Sequence, residues 1–368
     1  MTYKKGPEMA RRGINEISPY VPGKPIEEVQ KEYGLKEVIK MASNENPIGV
    51  SPKAITAMAT ELAKCNIYPE GSSIAVREKL AEHWGLDKDL FVVSTGADDI
   101  LYMIANAFMN EGDEAIFATP SFASYDLAVR FIGGKSIQIP LKNYAHDLDA
   151  FLAAVTPKTK LMYICNPNNP TGTVVGKAAM DAFMDKVPKN CLVVMDEAYY
   201  EYVETEDYPS SINYLKEGRN VIITRTFSKV YGLAALRVGY GMARADVMET
   251  LCKVAPPFPV NRVAQVAACA AINDKEFTDF VLRTNHEGKE YLYKELAALG
   301  FVCIPTQANF IFVDFKTDGK KLFEELMKRG IIIRPGYLWE FPSCGRITIG
   351  TMEQNKKLVE TLKAIQAS

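Results

Sequence analysis

Four short segments of this chain hold side chains that could do chemistry, and each follows an apolar run. After CLVVM comes Asp196-Glu197-Ala198-Tyr199. A carboxylate at the end of a buried strand needs a cationic partner, and a protonated pyridine nitrogen would serve. Taken alone, Asp196 also fits a helix N-cap or a solvated loop acid. After NVIITRT comes Phe227-Ser228-Lys229. A lysine just past a strand end can form an imine with an aldehyde. The hydroxyls of Thr226 and Ser228 beside it can donate to a phosphate, and Arg237 can form a charge-assisted pair with that phosphate. A lone lysine in such a place is otherwise a surface residue near a loop. After FVVS comes Thr95-Gly96-Ala97-Asp98, which opens a helical pattern. Free N–H groups at a helix start, with glycine allowing close approach, suit an anion or simply make a capped helix. After KLMYIC comes Asn166-Pro167-Asn168-Asn169-Pro170-Thr171-Gly172, a turn stiff enough to fix a side chain.

One stretch, GTVVGKA (172–178), imitates a nucleotide phosphate loop. It has three residues between its glycines instead of four, and Ala178 where Ser or Thr should follow the lysine, so that reading is rejected.

Ligands of parallel α/β sheets bind beyond the carboxyl ends of the strands, so the elements behind these segments matter. From about residue 50 to 260, apolar runs alternate with helical patterns such as 97–110 and 176–187. The runs include FVVST (91–95), EAIFA (114–118), KLMYIC (160–165), CLVVMD (191–196), NVIITRT (220–226) and RVGYGM (237–242). This alternation predicts a mostly parallel sheet covered by helices on both faces. Residues 1–45 read as an arm that Pro19, Pro22 and Pro25 keep extended. After Pro256-Pro257 the pattern changes to helix over most of 262–299. Strands follow near 301–304 and 309–315, a helix near 319–329, strands near 331–334 and 346–349, and a closing helix from 352. The expected division is an arm with part of a small domain (1–45), a large domain (46–262) and a small α+β domain (263–368).

The bulk numbers narrow the function classes. The 368 residues, 48% of them hydrophobic, are enough for a sizeable core, and 43 basic against 45 acidic residues leave a net charge of −2. Such a balance gives no electrostatic pull toward nucleic acid or an anionic membrane. No apolar stretch follows the basic pairs of MTYKKGPEMARRG, so no signal peptide is expected. No run of about 18 apolar residues predicts a membrane span. Seven cysteines without a CxxC, several inside apolar runs, suggest free thiols in a reducing cytoplasm. Three histidines without ligand spacing give no reason to expect a metal.

Together NPNNPTG, DEAY and TFSKVYGLAALRVGY, in this order and spacing, make the chain resemble the fold-type I, class I/II aminotransferases over about residues 15–365. SPYVPGKPIEEVQKEYG (18–34), MASNENPIGVSPKA (41–54), YPEGSSIAVREKLA (68–81), QANFIFVDF (307–315), IIIRPG (331–336) and GRITIGTMEQN (345–355) resemble the branch acting on histidinol phosphate. The resemblance implies an α/β architecture with a mostly parallel seven-stranded sheet, a smaller α+β domain and an N-terminal arm. It also implies pyridoxal 5′-phosphate as cofactor and a homodimer with shared active sites. The activity implied is ping-pong transamination between histidinol phosphate and 2-oxoglutarate through a Schiff base at Lys229.

Carried over residue by residue, the resemblance implies that Asp196 pairs with the ring nitrogen, and that Tyr199 and Asn169 contact the ring hydroxyl. Phe122, where many relatives have tyrosine, stacks on the ring. Ala97 and Asp98, by their backbone, hold the phosphate together with Thr226, Ser228 and Arg237; Tyr68 reaches the phosphate of the neighbouring subunit. Arg346 binds the substrate carboxylate or phosphate, Arg334 assists at the distal acidic group, and Tyr20 and Asn46 line the substrate side. Tyr20 taken alone also fits an arm residue packed on the partner. The aromatic stretch GYLWEFPSC (336–344) and Arg262 depart from the pattern and leave aromatic amino acid transamination and threonine-phosphate decarboxylation open. A ligand-sensing regulator on the same scaffold would need an added DNA-binding module, for which the proline-rich arm is too short.

Overall fold

The computed structural model describes Met9, Arg11, Ile14, Ile17 and residues 23–367. Its strands, in chain order, are β1 (Ile39–Met41), β2 (Phe91–Ser94), β3 (Glu114–Thr119), β4 (Lys135–Pro140), β5 (Thr159–Cys165) and β6 (Leu192–Asp196). They continue with β7 (Val221–Thr226), β8 (Gly239–Ala243), β9 (Val302–Ile304), β10 (Phe310–Asp314), β11 (Ile331–Pro335) and β12 (Cys344–Thr348).

The large sheet has seven strands in the order β2-β8-β7-β6-β5-β3-β4. β3 through β7 are mutually parallel, and β8 runs antiparallel to both β7 and β2. β2 therefore points the same way as β7. The apolar runs found in the sequence fill this sheet because both of its faces are covered. Alternate residues enter opposite cores: Ile116, Met162, Ile164, Val193, Met195 and Ile223 on one face, Ala115, Leu161, Tyr163, Val194 and Ile222 on the other. β4 escapes the run-based reading. Its sequence KSIQIP alternates apolar with polar and lies at the sheet edge, half-exposed.

A second sheet of five strands has the order β1-β11-β12-β10-β9, with β1 parallel to β11. Ile311, Val313, Ile331, Ile333 and Ile347 pack there with Leu292, Leu296, Leu358 and Leu362. The arm is not extended throughout. Pro25 (φ −65°) is the N-cap of a helix at Ile26–Tyr33, which Gly34 closes at φ 68°. Proline suits a helix start, where its missing N–H has no helical partner to satisfy. The change of layer also lies past the expected 262/263 boundary. Helix Arg262–Ile272 and the first half of helix Lys275–Ala298 belong to the core of the large sheet, and Leu292 and Leu296 to the small one.

All seven cysteines are free; Cys165, Cys191 and Cys344 are buried, Cys65 and Cys252 exposed. Among the described residues no helix is long and apolar enough to cross a membrane.

Candidate active site

Because β8 reverses between β2 and β7, the carboxyl ends of β2, β5, β6 and β7 all reach one edge of the large sheet. A cavity of about 360 Å³ opens there. That is within the usual range of roughly 300–1,000 Å³ for small-molecule sites.

Asp196 ends β6 and is 3% exposed. The Tyr125 hydroxyl donates to its Oδ2 at 2.6 Å and the Ala198 N–H to its Oδ1 at 3.2 Å. Among the described residues it forms no ion pair. Burial pushes its carboxyl up to about 6. Two residues on from Ala198's neighbour Glu197, Tyr199 is buried with its hydroxyl oxygen accepting from Asn44 Nδ2 at 2.9 Å. Asn44 is itself held by Thr348, through its N–H at 2.9 Å and its Oδ1 at 3.1 Å. With Asn44 as donor, the Tyr199 hydroxyl keeps its proton for the cavity that it lines.

Lys229 follows β7 across the fully buried Phe227. Its Nζ donates to the Ser43 carbonyl at 3.5 Å and lies 5.7 Å from the Tyr199 ring centre. Burial, and then the nearby Arg346 charge, lower its amine to about 8.

The third corner is a cradle of backbone and cation. Gly96 (φ 93°) precedes helix Ala97–Phe108. A Cβ on Gly96 would stand 2.8 Å from Arg237 Nη2, and one on Gly239 would stand 2.4 Å from the Ala97 nitrogen. Thus Arg237 and β8 press directly on the helix start, where N–H groups favour an anion. Arg237 is anchored by Nη1 on the Ala234 carbonyl at 2.9 Å, and its Nη2 lies 4.0 Å from Asp98. Thr226 and Ser228 line the same corner, tied by the Ser228 N–H to Thr226 Oγ1 at 3.0 Å.

Opposite this corner, the small sheet contributes Arg334 from β11 and Arg346 from β12. Arg346 donates through Nη1 to Asn169 Oδ1 and through Nη2 to the Ala42 carbonyl at 2.6 Å. Its guanidinium carbon lies 5.4 Å from the ring centres of both Phe310 and Trp339. A second hollow of about 880 Å³ shares Phe122, Asn169, Arg334 and Arg346 with the first and is walled by Trp339 and Phe341.

The structure thus brings Ala97, Asp98, Phe122, Asn169, Asp196, Tyr199, Thr226, Ser228, Lys229, Arg237, Arg334 and Arg346 to one cavity. It does not bring Asn46 there. That side chain is spent on backbone, donating to the Val230 carbonyl, one residue past Lys229, at 2.9 Å and accepting from the Ile48 N–H of its own loop at 2.9 Å. Asn44, two residues earlier, takes the place on the wall. Tyr68 is 76% exposed, its ring stacked on Phe258 at 4.8 Å and away from this chain's cavity. Tyr20 lies outside the described residues. Arg262 binds the Glu61 carboxylate and the Tyr68 carbonyl, both at 2.8 Å, so it braces a loop and does not face the cavity. The aromatic stretch 336–344 supplies the wall beside Arg346. Asn44 and Tyr125 were not singled out from the sequence. Tyr125 carried one local signal, an aromatic three residues after Phe122 and so on the same side of a helical turn.

A family model described as aminotransferase class I and II matches residues 36–362. The histidinol-phosphate aminotransferase of Moorella thermoacetica is 48% identical over 358 residues, covering 97% of this chain and 93% of that protein. The histidinol-phosphate aminotransferase of Brevibacillus brevis is 46% identical over 94% of this chain and 95% of its own length. Among solved structures, histidinol-phosphate aminotransferase from Sinorhizobium meliloti in complex with pyridoxal-5′-phosphate is similar at a TM-score of 0.90 and 25% identity, covering 98% of this chain and 99% of that one. Aspartate aminotransferase from Thermus thermophilus with maleate shares the fold at a TM-score of 0.82, 20% identity, 97% of this chain and 99% of that one. With a family model spanning residues 36–362 and relatives matched over nearly their whole length, the chain belongs to the class I and II aminotransferases.

Proposed function

We propose that this chain transfers an amino group between L-histidinol phosphate and 2-oxoglutarate, using pyridoxal 5′-phosphate held between Asp196, Lys229 and the Gly96–Arg237 corner. The observation that carries the reading is the charge pattern of the cavity. A buried carboxylate without a cationic partner among the described residues stands at one corner, a depressed amine at the second, and a helix start with Arg237 at the third. These are complements to a pyridinium, an aldehyde and a phosphate. The names of the near-full-length relatives support the choice of substrate.

When bound, the cofactor supplies an aldehyde that condenses with amines and a ring that takes up the electron pair released at Cα. Asp196 would keep a proton on the ring nitrogen by its opposite charge. The Tyr199 hydroxyl, oriented by Asn44, would donate to the ring hydroxyl, and Asn169 would contact the same oxygen. With the cofactor bound, Lys229 Nζ, as a neutral amine, would serve as the general base for the Cα proton and as the acid that delivers it to the former aldehyde carbon. Arg346 and Arg334 bind the acid group of either substrate, since a planar guanidinium fits carboxylate and phosphate alike. Phe122, which lines the cavity, would stack on the cofactor ring.

The active unit on this reading is a cytoplasmic homodimer. Tyr68 stands out from the surface with Ile55, Leu62, Ile67 and Phe258, all exposed apolar residues, and would reach the cofactor phosphate of a second copy. Seven free cysteines are in keeping with a reducing compartment.

The test is glutamate-dependent turnover with imidazole acetol phosphate and with phenylpyruvate side by side. Preference for the former is expected. Equal or faster turnover of phenylpyruvate overturns the substrate assignment, and carbon dioxide release from phosphothreonine would place the chain among the decarboxylases.

A further inference from the structure

Behind the cavity wall lies a buried ion pair that the reaction does not touch. Arg225, on β7, and Glu197, just past β6, are each 1% exposed in their side chains. Nε and Nη2 of Arg225 both donate to Glu197 Oε2, at 2.8 and 2.7 Å. The same guanidinium fits a corner between two rings, 4.0 Å from the Trp84 ring centre and 3.6 Å from that of Tyr200. Trp84 is fixed in turn by Nε1 donating to the Tyr240 hydroxyl at 3.1 Å, and Tyr240 is the ladder partner of Arg225 on β8.

The residues of this knot interleave with those of the site. Along 196–200, Asp196 and Tyr199 line the cavity while Glu197 and Tyr200 touch Arg225. Along β7, Arg225 precedes Thr226, which lines the cavity three residues before Lys229. A main-chain bond draws the same two segments together, the Glu197 N–H donating to the Thr224 carbonyl at 2.9 Å, while the Tyr200 N–H closes a turn within 196–200 on the Glu197 carbonyl at 3.0 Å. One cation therefore grips the segment carrying Asp196 and Tyr199 and the strand that leads to Ser228 and Lys229.

We propose that Arg225 is a positioning residue: through Glu197 and Tyr200 it sets where Asp196 and Tyr199 stand relative to Thr226, Ser228 and Lys229. The inference rests on the cofactor site argued above. Arg225 acts by geometry and not by charge, because Glu197 neutralises it at contact and it does not line the cavity. Apolar residues could fill the same space, but they would lack the directional fork that ties the two segments in one register.

The experiment compares wild type with Glu197→Gln, Arg225→Lys and the double variant Glu197→Leu/Arg225→Met. Turnover and the pH midpoint of the visible absorbance are read on the holoenzyme. Thermal midpoint and amide exchange over residues 196–200 are read on the cofactor-free protein. A buried pair is often replaceable by apolar residues without loss of stability, so the double variant is expected to melt near wild type. Its kcat is expected to fall by roughly 100-fold, the scale of an error of about 1 Å in a positioned group. KM for glutamate should change little, the absorbance midpoint should move, and the amides of Glu197 and Tyr200 should exchange faster without cofactor. Arg225→Lys keeps the charge and is expected not to rescue turnover. A folded double variant with wild-type kcat, midpoint and exchange overturns the proposal, as does full rescue by lysine. If the double variant does not fold, Glu197→Gln decides by the same readouts: slower turnover and faster exchange support the role, and wild-type values overturn it. A wild-type holoenzyme without visible absorbance would overturn the cofactor reading itself, a failure distinct from these.

Discussion

Arg334 and Arg346 stand directly opposite each other in the antiparallel ladder of β11 and β12, and both reach the same cavity. Opposite residues of such a ladder share a face, and like charges so placed disfavour the pairing unless an anion lies between them. The pairing thus suits a site for an acid group. Replacing Arg346 with alanine is expected to slow both half-reactions, with glutamate and with histidinol phosphate, by roughly 10- to 100-fold, given about 1.5–3 kcal/mol for a hydrogen bond to a charged group. Lysine should restore little of this, because it lacks the fork. Stopped-flow rates of the separated half-reactions decide: a defect confined to one of them refutes a shared arginine.

Lys229→Ala is expected to lose both the visible-range absorbance of the bound cofactor and turnover. The wild-type amine, lowered to about 8, is protonated below that pH and neutral above it. Cofactor loading onto the cofactor-free protein should accordingly speed up as pH rises through about 8, well below the ordinary lysine value of 10.5. A loading rate still climbing steeply past pH 10 would contradict the burial of this group.

Asp196 gives a prediction of opposite sign for stability and for function. Its carboxyl is raised from 3.8 to about 6 by burial, so the folded cofactor-free protein holds a proton there that the unfolded chain has lost. Stability contributed at this group is present at low pH and falls as pH rises from about 4 through 6, by about 3 kcal/mol. Asp196→Asn should abolish that dependence and melt at a higher temperature than wild type at neutral pH without cofactor. The same variant should bind cofactor more weakly and turn over at least 100-fold more slowly, the scale of losing about 3 kcal/mol of transition-state stabilisation. Denaturation curves at acid and neutral pH, set beside kcat, measure both effects.

Asn44 and Tyr199 should behave as one unit. Tyr199→Phe removes the hydroxyl, and Asn44→Ala removes the donor that orients it. The losses in kcat should therefore not multiply in the double variant. Asn44→Ala should also destabilise the fold by roughly 1–3 kcal/mol, since it leaves the buried Thr348 short of a partner. Multiplicative losses in kcat would separate the two residues.

Which parts of this arrangement the sequence disclosed follows from how local each signal is. Asp196, Thr226, Ser228 and Lys229 each sit within a few residues of a strand end, so one short window holds both the element and the chemistry. The Gly96 corner is local for the same reason. Asn44 depends on Tyr199, 155 residues away, and on Thr348, 304 residues away, and no window contains that information. Within SNENP, Asn44 and Asn46 are the same residue type in the same loop; burial selects Asn44, and burial is set by the small sheet. Arg225 sits as a cation inside an apolar run and drew no reading of its own, because nothing nearby in sequence announces Glu197 and Tyr200 as its partners. β4 and the helix after Pro25 were missed for a different reason. An edge strand has little apolar content, and a proline marks a helix start as well as an extended arm.

The place of β8 between β2 and β7 carries a consequence for the order in which the protein matures. β2 joins the large sheet through β8 alone. A nascent chain that has not yet produced residues 239–243 cannot bring the Gly96 turn beside Thr226, and Arg346 emerges later still. On the proposed cofactor reading, uptake would therefore wait until strands from both halves of the chain are in place, and a chain truncated before β8 would lack the assembled phosphate corner.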